Sequence, residues 1–422
     1  MTTVALLLTA SASAAVPPDV VQALQSRADQ AYDSASAIAI LTPEGREILA
    51  FGAATPDSGF ELGSITKTFT AALLAERVAA GELSLETTLG TLVPELPERA
   101  RSITVGQLAS HTSGLARDPC NLEVSADPFA TFGWDETVEA LERCPMGDPV
   151  YVYSNFGFGL LGEVLARRAE VPWATLVRER LSNPLGLDAT GYPAPDPGRM
   201  LPGGWTFDAL AGCGALRSTA GDLLDWTIAS TTPSELGLGP AFALQRAPRA
   251  PAGAGRVGLG WHLREVDGRP LIWHNGGTGA FVSFTGAYDG RVVAVLAASD
   301  QSVDSIGFHA LAPQLPLDVL RPRAKLPPER LAEYVGRYPL SPSFALEVTA
   351  AADHLVVQAT GQQAFPVWPD GADHFVLHVV DAAVRFERGR DGAVEALVLE
   401  QCGVEQRGQR EVPPRGGRRR AR

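Results

Sequence analysis

Gly63-Ser64-Ile65-Thr66-Lys67 is the stretch on which the reading of this chain turns. Of 35 lysines and arginines only two are lysine, Lys67 and Lys325. A composition so biased keeps lysine mainly where arginine cannot substitute. Lysine can release its proton once desolvated; arginine cannot. Ser64 stands three residues before Lys67, ahead of an apolar-periodic segment, Phe69 to Ala80, that the spacing predicts to be a helix stopped by Gly81. Positions i and i+3 share a helix face, so the Lys67 amine is expected beside the Ser64 hydroxyl. Burial and the positive helix N-terminus both disfavour an ammonium there. The pair therefore reads as a nucleophile and its base. The pattern alone also has a plain reading: Ser-x-x-Lys arises by chance in a chain of this size, and a serine ahead of a helix is commonly its N-cap.

Two later segments carry complementary chemistry. Tyr151-Val152-Tyr153-Ser154-Asn155 precedes another helical stretch. Tyr153 and Asn155 are two residues apart and can point the same way from an extended turn. A phenol beside a lysine can shuttle a proton, and an amide can bridge a lysine and a substrate carbonyl. The alternative is a helix cap at Ser154 or Asn155. Trp273-His274-Asn275-Gly276-Gly277-Thr278-Gly279 lies at a strand end. Glycine in such a place marks close approach of a backbone or a ligand. Its N–H can serve as one oxyanion donor with the Ser64 N–H as the other. A Gly-rich connecting loop is the competing reading.

Around these segments the chain divides in two. Val20 to Tyr32 reads as a helix, then Ala37 to Thr42 and Glu47 to Gly52 as a hairpin turned at Pro43-Glu44-Gly45. A helical, loop-rich middle includes Thr104 to Ser110, Thr137 to Arg143, Phe156 to Arg168, Trp173 to Arg180 and Thr219 to Ala229. Strand signals return at Val257 to Glu265, Pro270 to His274, Phe281 to Tyr288 and Arg291 to Ala298, and Ile306 to Leu320 reads as a closing helix. Strands at both ends of a helical middle imply one antiparallel sheet with helices on its faces. After a Pro/Arg linker, Arg321 to Pro328, short alternating strands from Phe344 to Glu400 suggest a small all-β barrel or sandwich. The expected fold class is α/β in the α+β sense: a flanked antiparallel sheet with a helical subdomain, then an all-β domain. Boundaries fall at 1–15 for a leader, 16–322, 323–410, and 411–422 for a disordered basic tail.

Ser-x-x-Lys, then Tyr-x-Asn, then a basic-x-Gly strand, in this order and spacing, resembles the serine β-lactamase and penicillin-binding protein superfamily, in its class C β-lactamase and D-peptidase branch. His111-Thr112-Ser113-Gly114-Leu115, Gly157 to Leu161 and Ala215 to Leu223 extend the similarity, which spans roughly Val20 to Leu320. The resemblance implies a β-lactamase/transpeptidase-like fold. It implies Ser64 as acylated nucleophile, Lys67 and Tyr153 sharing acid–base work, and Asn155 orienting Lys67 and the substrate. It also implies Ser64 and Gly277 N–H groups as the oxyanion hole, with no metal or organic cofactor. His274-Asn275-Gly276 stands where the family's lactamases typically carry Lys-Thr-Gly, which recognises the substrate carboxylate. Histidine gives a weaker, switchable anion contact, so D-aminopeptidase and esterase chemistry stay open beside β-lactam and D-peptide hydrolysis. Arg217 is a candidate for carboxylate binding. The C-terminal region resembles a lipocalin-like appendage, either a packing module or a cover over the active-site mouth. A non-catalytic penicillin-binding-like sensor is the rival from another class.

Composition narrows the partners. A net charge of −13 argues against nucleic acid, leaving a small-molecule or peptide substrate. No stretch is apolar enough to span a membrane. The start, with Val4 to Leu8 and Ala12-Ser13-Ala14, is similar to a secretory signal without its basic region, and points to a periplasmic or secreted protein. Cys120, Cys144, Cys213 and Cys402 lack metal-ligand spacing. Cys120 and Cys144 flank one loop-rich segment and are either a disulfide or free thiols.

Overall fold

A computed structural model of the chain describes residues 15–411, apart from 31, 124, 126, 235–236, 319–324, 342–343, 361–363, 378–381 and 402–403. The expected leader and basic tail, Cys402 and the first half of the linker fall outside the described residues, but for residues 15 and 411 at the margins.

The first unit is built on an eight-stranded antiparallel sheet. Its order is Gly45–Gly52, Asp33–Thr42, Arg291–Ser299, Val282–Tyr288, Arg269–Gly277, His262–Val266, Gly255–Val257, Ala250–Ala252. The N-terminal hairpin therefore pairs with strands from the far end of the unit, Ile38 facing both Leu49 and Val295. The central strands read as nearly continuous apolar runs because both faces are covered. Along them the period of two still sorts the side chains. Ala35, Ala37, Ala39, Ala294 and Leu296 enter the core shared with the helical middle. Ile38, Ile40, Val293, Val295 and Ala297 enter a second core under the helices Pro18–Asp29 and Asp304–Leu311. Small alanines on the first face let the helix Ala220–Thr231 pack closely on the sheet.

The serine lies on a 3-10 turn, Gly63–Ile65, that runs straight into the helix Thr66–Ala79, one turn earlier than the apolar pattern indicates. Gly81, at φ 74°, follows its end as expected. Thr66 to Ala75 are all buried, so this is a core helix enclosed on every side. Its polar side chains are satisfied by named partners. The Trp226 indole donates to Thr68 Oγ1 at 2.9 Å, the Trp173 indole to Thr70 Oγ1 at 3.1 Å, and the Gln245 amide to Thr68 O at 2.8 Å. These bonds hold the helix at one rotation, and with it the direction of Lys67.

Several other expected elements differ in extent, among them a strand that starts at Asp33 rather than Ala37 and a helix that starts at Trp134 rather than Thr137. The strand expected over Val257 to Glu265 is broken between Val257 and His262, where Gly260 adopts φ 73° and the Gly258 N–H donates forward to Trp261 O at 2.9 Å. The helix expected to Leu320 ends at Leu311, because Pro313 biases the residue before it away from helix. The strand expected over Pro270 to His274 runs on to Gly277, so His274 to Gly277 are sheet residues, not loop.

The second unit is an eight-stranded antiparallel meander, Gly336–Ser341 through Val404–Gln409, in simple sequence order. Its first and last strands come together, with the Glu411 N–H donating to Arg337 O at 2.8 Å, so the sheet forms a nearly closed barrel. Tyr334, Tyr338, Phe375 and Phe386 fill its core, which is separate from the other two.

Candidate active site

Lys67 is fully buried, and its Nζ lies 2.8 Å from each of three oxygens: Ser64 Oγ, Asn155 Oδ1 and Cys213 O. The three oxygens are not chemically equal. A carbonyl can only accept, so Asn155 and Cys213 each claim one N–H. Ser64 is the one partner that can either accept from Nζ or donate to it. The same cage therefore satisfies a protonated Lys67, with three donated bonds, and a neutral one, with two donated bonds and one accepted from the Ser64 hydroxyl. This is a geometry in which a serine proton can move without breaking the surroundings.

Each member reaches the cage by a separate route. Asn155 opens the helix Asn155–Ala169, whose N-cap is Ser154. Ser154 Oγ accepts from the Gly157 N–H at 2.8 Å and donates to Ala116 O at 2.6 Å, so the capping and chemical readings of this segment hold together. The Asn155 amide nitrogen donates to Asp118 Oδ1 at 2.8 Å, which turns its oxygen toward Lys67. Cys213 is carried in by the segment beside the serine turn, where the Leu62 N–H donates to Leu216 O at 2.9 Å and the Leu216 N–H to Thr66 Oγ1 at 3.0 Å. The Cys213 thiol itself is buried, and burial pushes it up to about 11; the contact with Lys67 is made by its carbonyl.

Tyr153 completes the group. Its ring centroid lies 5.0 Å from Lys67 Nζ. One face stacks on His111 at 4.5 Å, and the ring lies 6.2 Å from His262 and 6.3 Å from His274. His111 also grips the backbone of this segment: its Nδ1 accepts from the Ser154 N–H at 2.9 Å and its carbonyl from the Val152 N–H at 2.8 Å. Accepting through Nδ1 requires a neutral ring. Burial, with the nearby Lys67 charge, holds His111 well below the usual histidine range.

Gly276 and Gly277 lie against the serine turn. A Cβ on Gly63 would stand 2.7 Å from Gly277 N, and one on Gly276 would stand 2.1 Å from Leu62 O and 3.0 Å from Ser64 N. Only bare backbone fits at this crossing, which holds the strand at Gly276 and Gly277 directly against the serine turn.

The other two members of that strand do something different from what the sequence suggests. His274 is 1% exposed; its Nδ1–H donates to Asn275 O at 2.5 Å, and its Nε2 has no partner among the described residues. Burial, with His262 and Lys67 nearby, holds it well below the usual range. The expected switchable anion contact is therefore not available from His274: at neutral pH it is an uncharged, buried ring. Asn275 donates to Asp304 Oδ2 at 2.7 Å, toward the helix Asp304–Leu311. Arg217 is committed elsewhere too, to Glu61 Oε1 at 3.0 Å and Trp205 O at 2.9 Å.

The site opens into a cleft of about 2010 Å³. Phe129, Trp205 and Phe207 form an aromatic wall, and Leu340, Phe344 and Phe365 of the barrel border the far side. Cys120 and Cys144 are joined by a disulfide in the loop region beside Arg117 and Asp118. Asp118, His262 and the Cys213 carbonyl were not singled out by sequence reasoning. A backbone carbonyl leaves no residue-type signal, and Asp118 lies 37 residues from the Asn155 it orients.

Residues 21–312 match the sequence model of the family described as beta-lactamase, and residues 320–411 match one described as a domain of unknown function, DUF3471. Penicillin-binding protein 4 of Amycolatopsis lactamdurans is 37% identical over 140 residues, 32% of this chain and 36% of that protein. The D-alanyl-D-alanine-carboxypeptidase/endopeptidase AmpH of Escherichia coli (strain K12) is 28% identical over 260 residues, 54% of this chain and 67% of that protein. The chain thus spans about a third of the length of the first relative and two thirds of the second. The solved class C beta lactamase from Rhodobacter sphaeroides superposes with a TM-score of 0.62 at 20% identity, over 71% of this chain and 99% of that one.

Proposed function

Since the chain belongs to the beta-lactamase family of serine hydrolases, we propose that it cleaves an amide bond next to a D-amino acid through an acyl-enzyme on Ser64. The observation that carries this reading is the Lys67 cage, in which two obligate acceptors leave Ser64 as the one partner able to give up a proton. AmpH, a D-alanyl-D-alanine carboxypeptidase/endopeptidase, supports the substrate class.

In this mechanism Ser64 Oγ attacks the carbonyl carbon and its proton passes to Lys67 Nζ. The carbonyl oxygen becomes an oxyanion facing the Ser64 and Gly277 N–H groups. The C–N bond then breaks, and a proton delivered through Tyr153 leaves on the departing amine. Water attacks the resulting ester, releases the acid and restores the Ser64 hydroxyl. Ester hydrolysis is the second reading. It is favoured by the uncharged His274 and by the aromatic wall of Phe129, Trp205 and Phe207. The Cys120–Cys144 disulfide supports an oxidising compartment, in keeping with a periplasmic or secreted location.

The test is to incubate the protein and its Ser64→Ala variant with a fluorescent penicillin, a chromogenic cephalosporin, an acylated D-Ala-D-Ala peptide and a small ester. Release of D-Ala by the wild type alone is expected. A wild type that is neither labelled nor active on any of the four would sink the proposal.

A further inference from the structure

The structure leaves a conspicuous gap in charge. Among the described residues beside Ser64, four candidate cations are unsuited to receive a substrate anion, and Arg256 and Arg264 also line the wider cleft. Lys67 is buried, with its Nζ already bonded to three oxygens. His274 is buried and neutral, and His262 is held down to about 4 by burial and by the Lys67 charge. Arg217 is spent on Glu61 and the Trp205 carbonyl. Arg117 is different. Its guanidinium carbon lies 5.1 Å from the Tyr153 ring centroid, its side chain is 35% exposed, and it lines the cleft beside Ser64 and Asn155. The nearest carboxylate, Asp118, stands 3.8 Å away and already accepts from Asn155 at 2.8 Å.

We infer that Arg117 recognises a free carboxylate on the leaving group of the substrate. This rests on the acyl-enzyme reading, in which Tyr153 returns the proton to the departing nitrogen. In a C-terminal amino acid the α-carboxylate is two bonds from that nitrogen. A nitrogen at the Tyr153 hydroxyl can therefore turn its carboxylate toward the guanidinium, whose carbon lies 5.1 Å from the ring centroid. The fork of a guanidinium matches a carboxylate in two parallel hydrogen bonds, which neither histidine can offer. The loop carrying Arg117 is held where this requires: its own carbonyl accepts from the Asn155 and Phe156 N–H groups at 2.7 and 3.1 Å. Recognition has thus moved from the sheet strand, whose His274 is buried, to the loop that carries Arg117. The preferred substrate is accordingly a peptide with a free C-terminus, so that the enzyme acts as a carboxypeptidase.

The experiment compares an acylated D-Ala-D-Ala peptide with its C-terminal amide, in the wild type, Arg117→Ala and Arg117→Lys. The read quantity is the free-acid to amide ratio of kcat/KM. Arg117→Ala is expected to lower this ratio about 10- to 100-fold, the worth of a charged hydrogen-bond pair, mainly through KM, and Arg117→Lys to restore part of it. An unchanged ratio overturns the inference, as does an equal loss on both substrates, which would mean that Arg117 serves only to support Tyr153. A second readout does not depend on turnover: calorimetric binding of both peptides to Ser64→Ala and to Ser64→Ala/Arg117→Ala. Preference for the free acid in the first and its loss in the second supports Arg117 even if the hydrolase proposal fails; no preference in the first refutes the inference even if hydrolysis is observed.

Discussion

Gly276→Ala tests the idea that backbone-to-backbone contact between the glycine strand and the serine turn sets the position of the oxyanion donors. The added carbon would stand 2.1 Å from Leu62 O, 2.4 Å from Ser283 Oγ and 3.0 Å from Ser64 N. An ordinary carbon–oxygen contact needs about 3.3 Å or more, so the strand must back away from the turn by about 1 Å. Rotating Ser283 does not relieve this, because its hydroxyl donates to the same Leu62 carbonyl at 2.8 Å and that carbonyl belongs to the turn. No positive φ is involved at Gly276, so the effect is steric. A displacement of about 1 Å in a catalytic constellation costs about 100-fold in rate, or about 2.7 kcal/mol at 1.36 kcal/mol per tenfold. Overpacking adds a stability loss of about 1–3 kcal/mol. The assay is stopped-flow acylation with whichever reporter labels Ser64, together with kcat and a thermal melt. Gly371→Ala in the barrel is the control, since its new carbon would meet only His374 Cβ at 3.7 Å. A folded Gly276→Ala protein with acylation within threefold of wild type would refute the reasoning, because the donors would then not depend on the close crossing.

Two further outcomes follow from the same geometry. Lys67→Arg keeps a positive charge but cannot release a proton; single-turnover acylation is expected to fall about 1,000-fold or more, and near-wild-type acylation at neutral pH would exclude Lys67 as the base. His262 titrates near 6.5 when unfolded and at about 4 in the fold, with His111 and His274 shifted in the same direction. Because the unfolded chain binds these protons first, the stability is fully present above about pH 6.5 and is lost as pH falls toward 4. Thermal melts across that window are expected to show a smaller slope in His262→Gln than in wild type; an identical slope would mean the ring is not held neutral.

Much of this protein is legible along the chain. The scarcity of lysine marks Lys67 without any structure, and spacing alone puts Ser64 one helical turn away. Turn and cap residues locate the helix after Tyr153 and the N-terminal hairpin, and the change to short alternating strands after the linker announces a separate β unit. The misreadings have equally local causes. Glycine at 258 and 260 breaks what reads as one strand, and Pro313 shortens what reads as a long helix, where an apolar pattern continues through residues that cannot hold the geometry. By residue type His274 reads as a partly charged contact, yet its charge is decided by burial, which depends on elements far from it in sequence.

Residue type and local spacing determined which groups can do chemistry here: a hydroxyl, an amine able to lose its proton, a phenol, an amide and a bare glycine backbone. Tertiary structure alone decided how they are used. It chose the Cys213 carbonyl as the third wall of the lysine cage, turned the Asn155 amide with an aspartate 37 residues away, silenced His274 and left Arg117 partly exposed beside Asp118. The physical reason is that proton affinity and hydrogen-bond direction depend on how many partners and how much water surround a group. Those are set by what packs beside it in space, and the chain order carries no direct record of that.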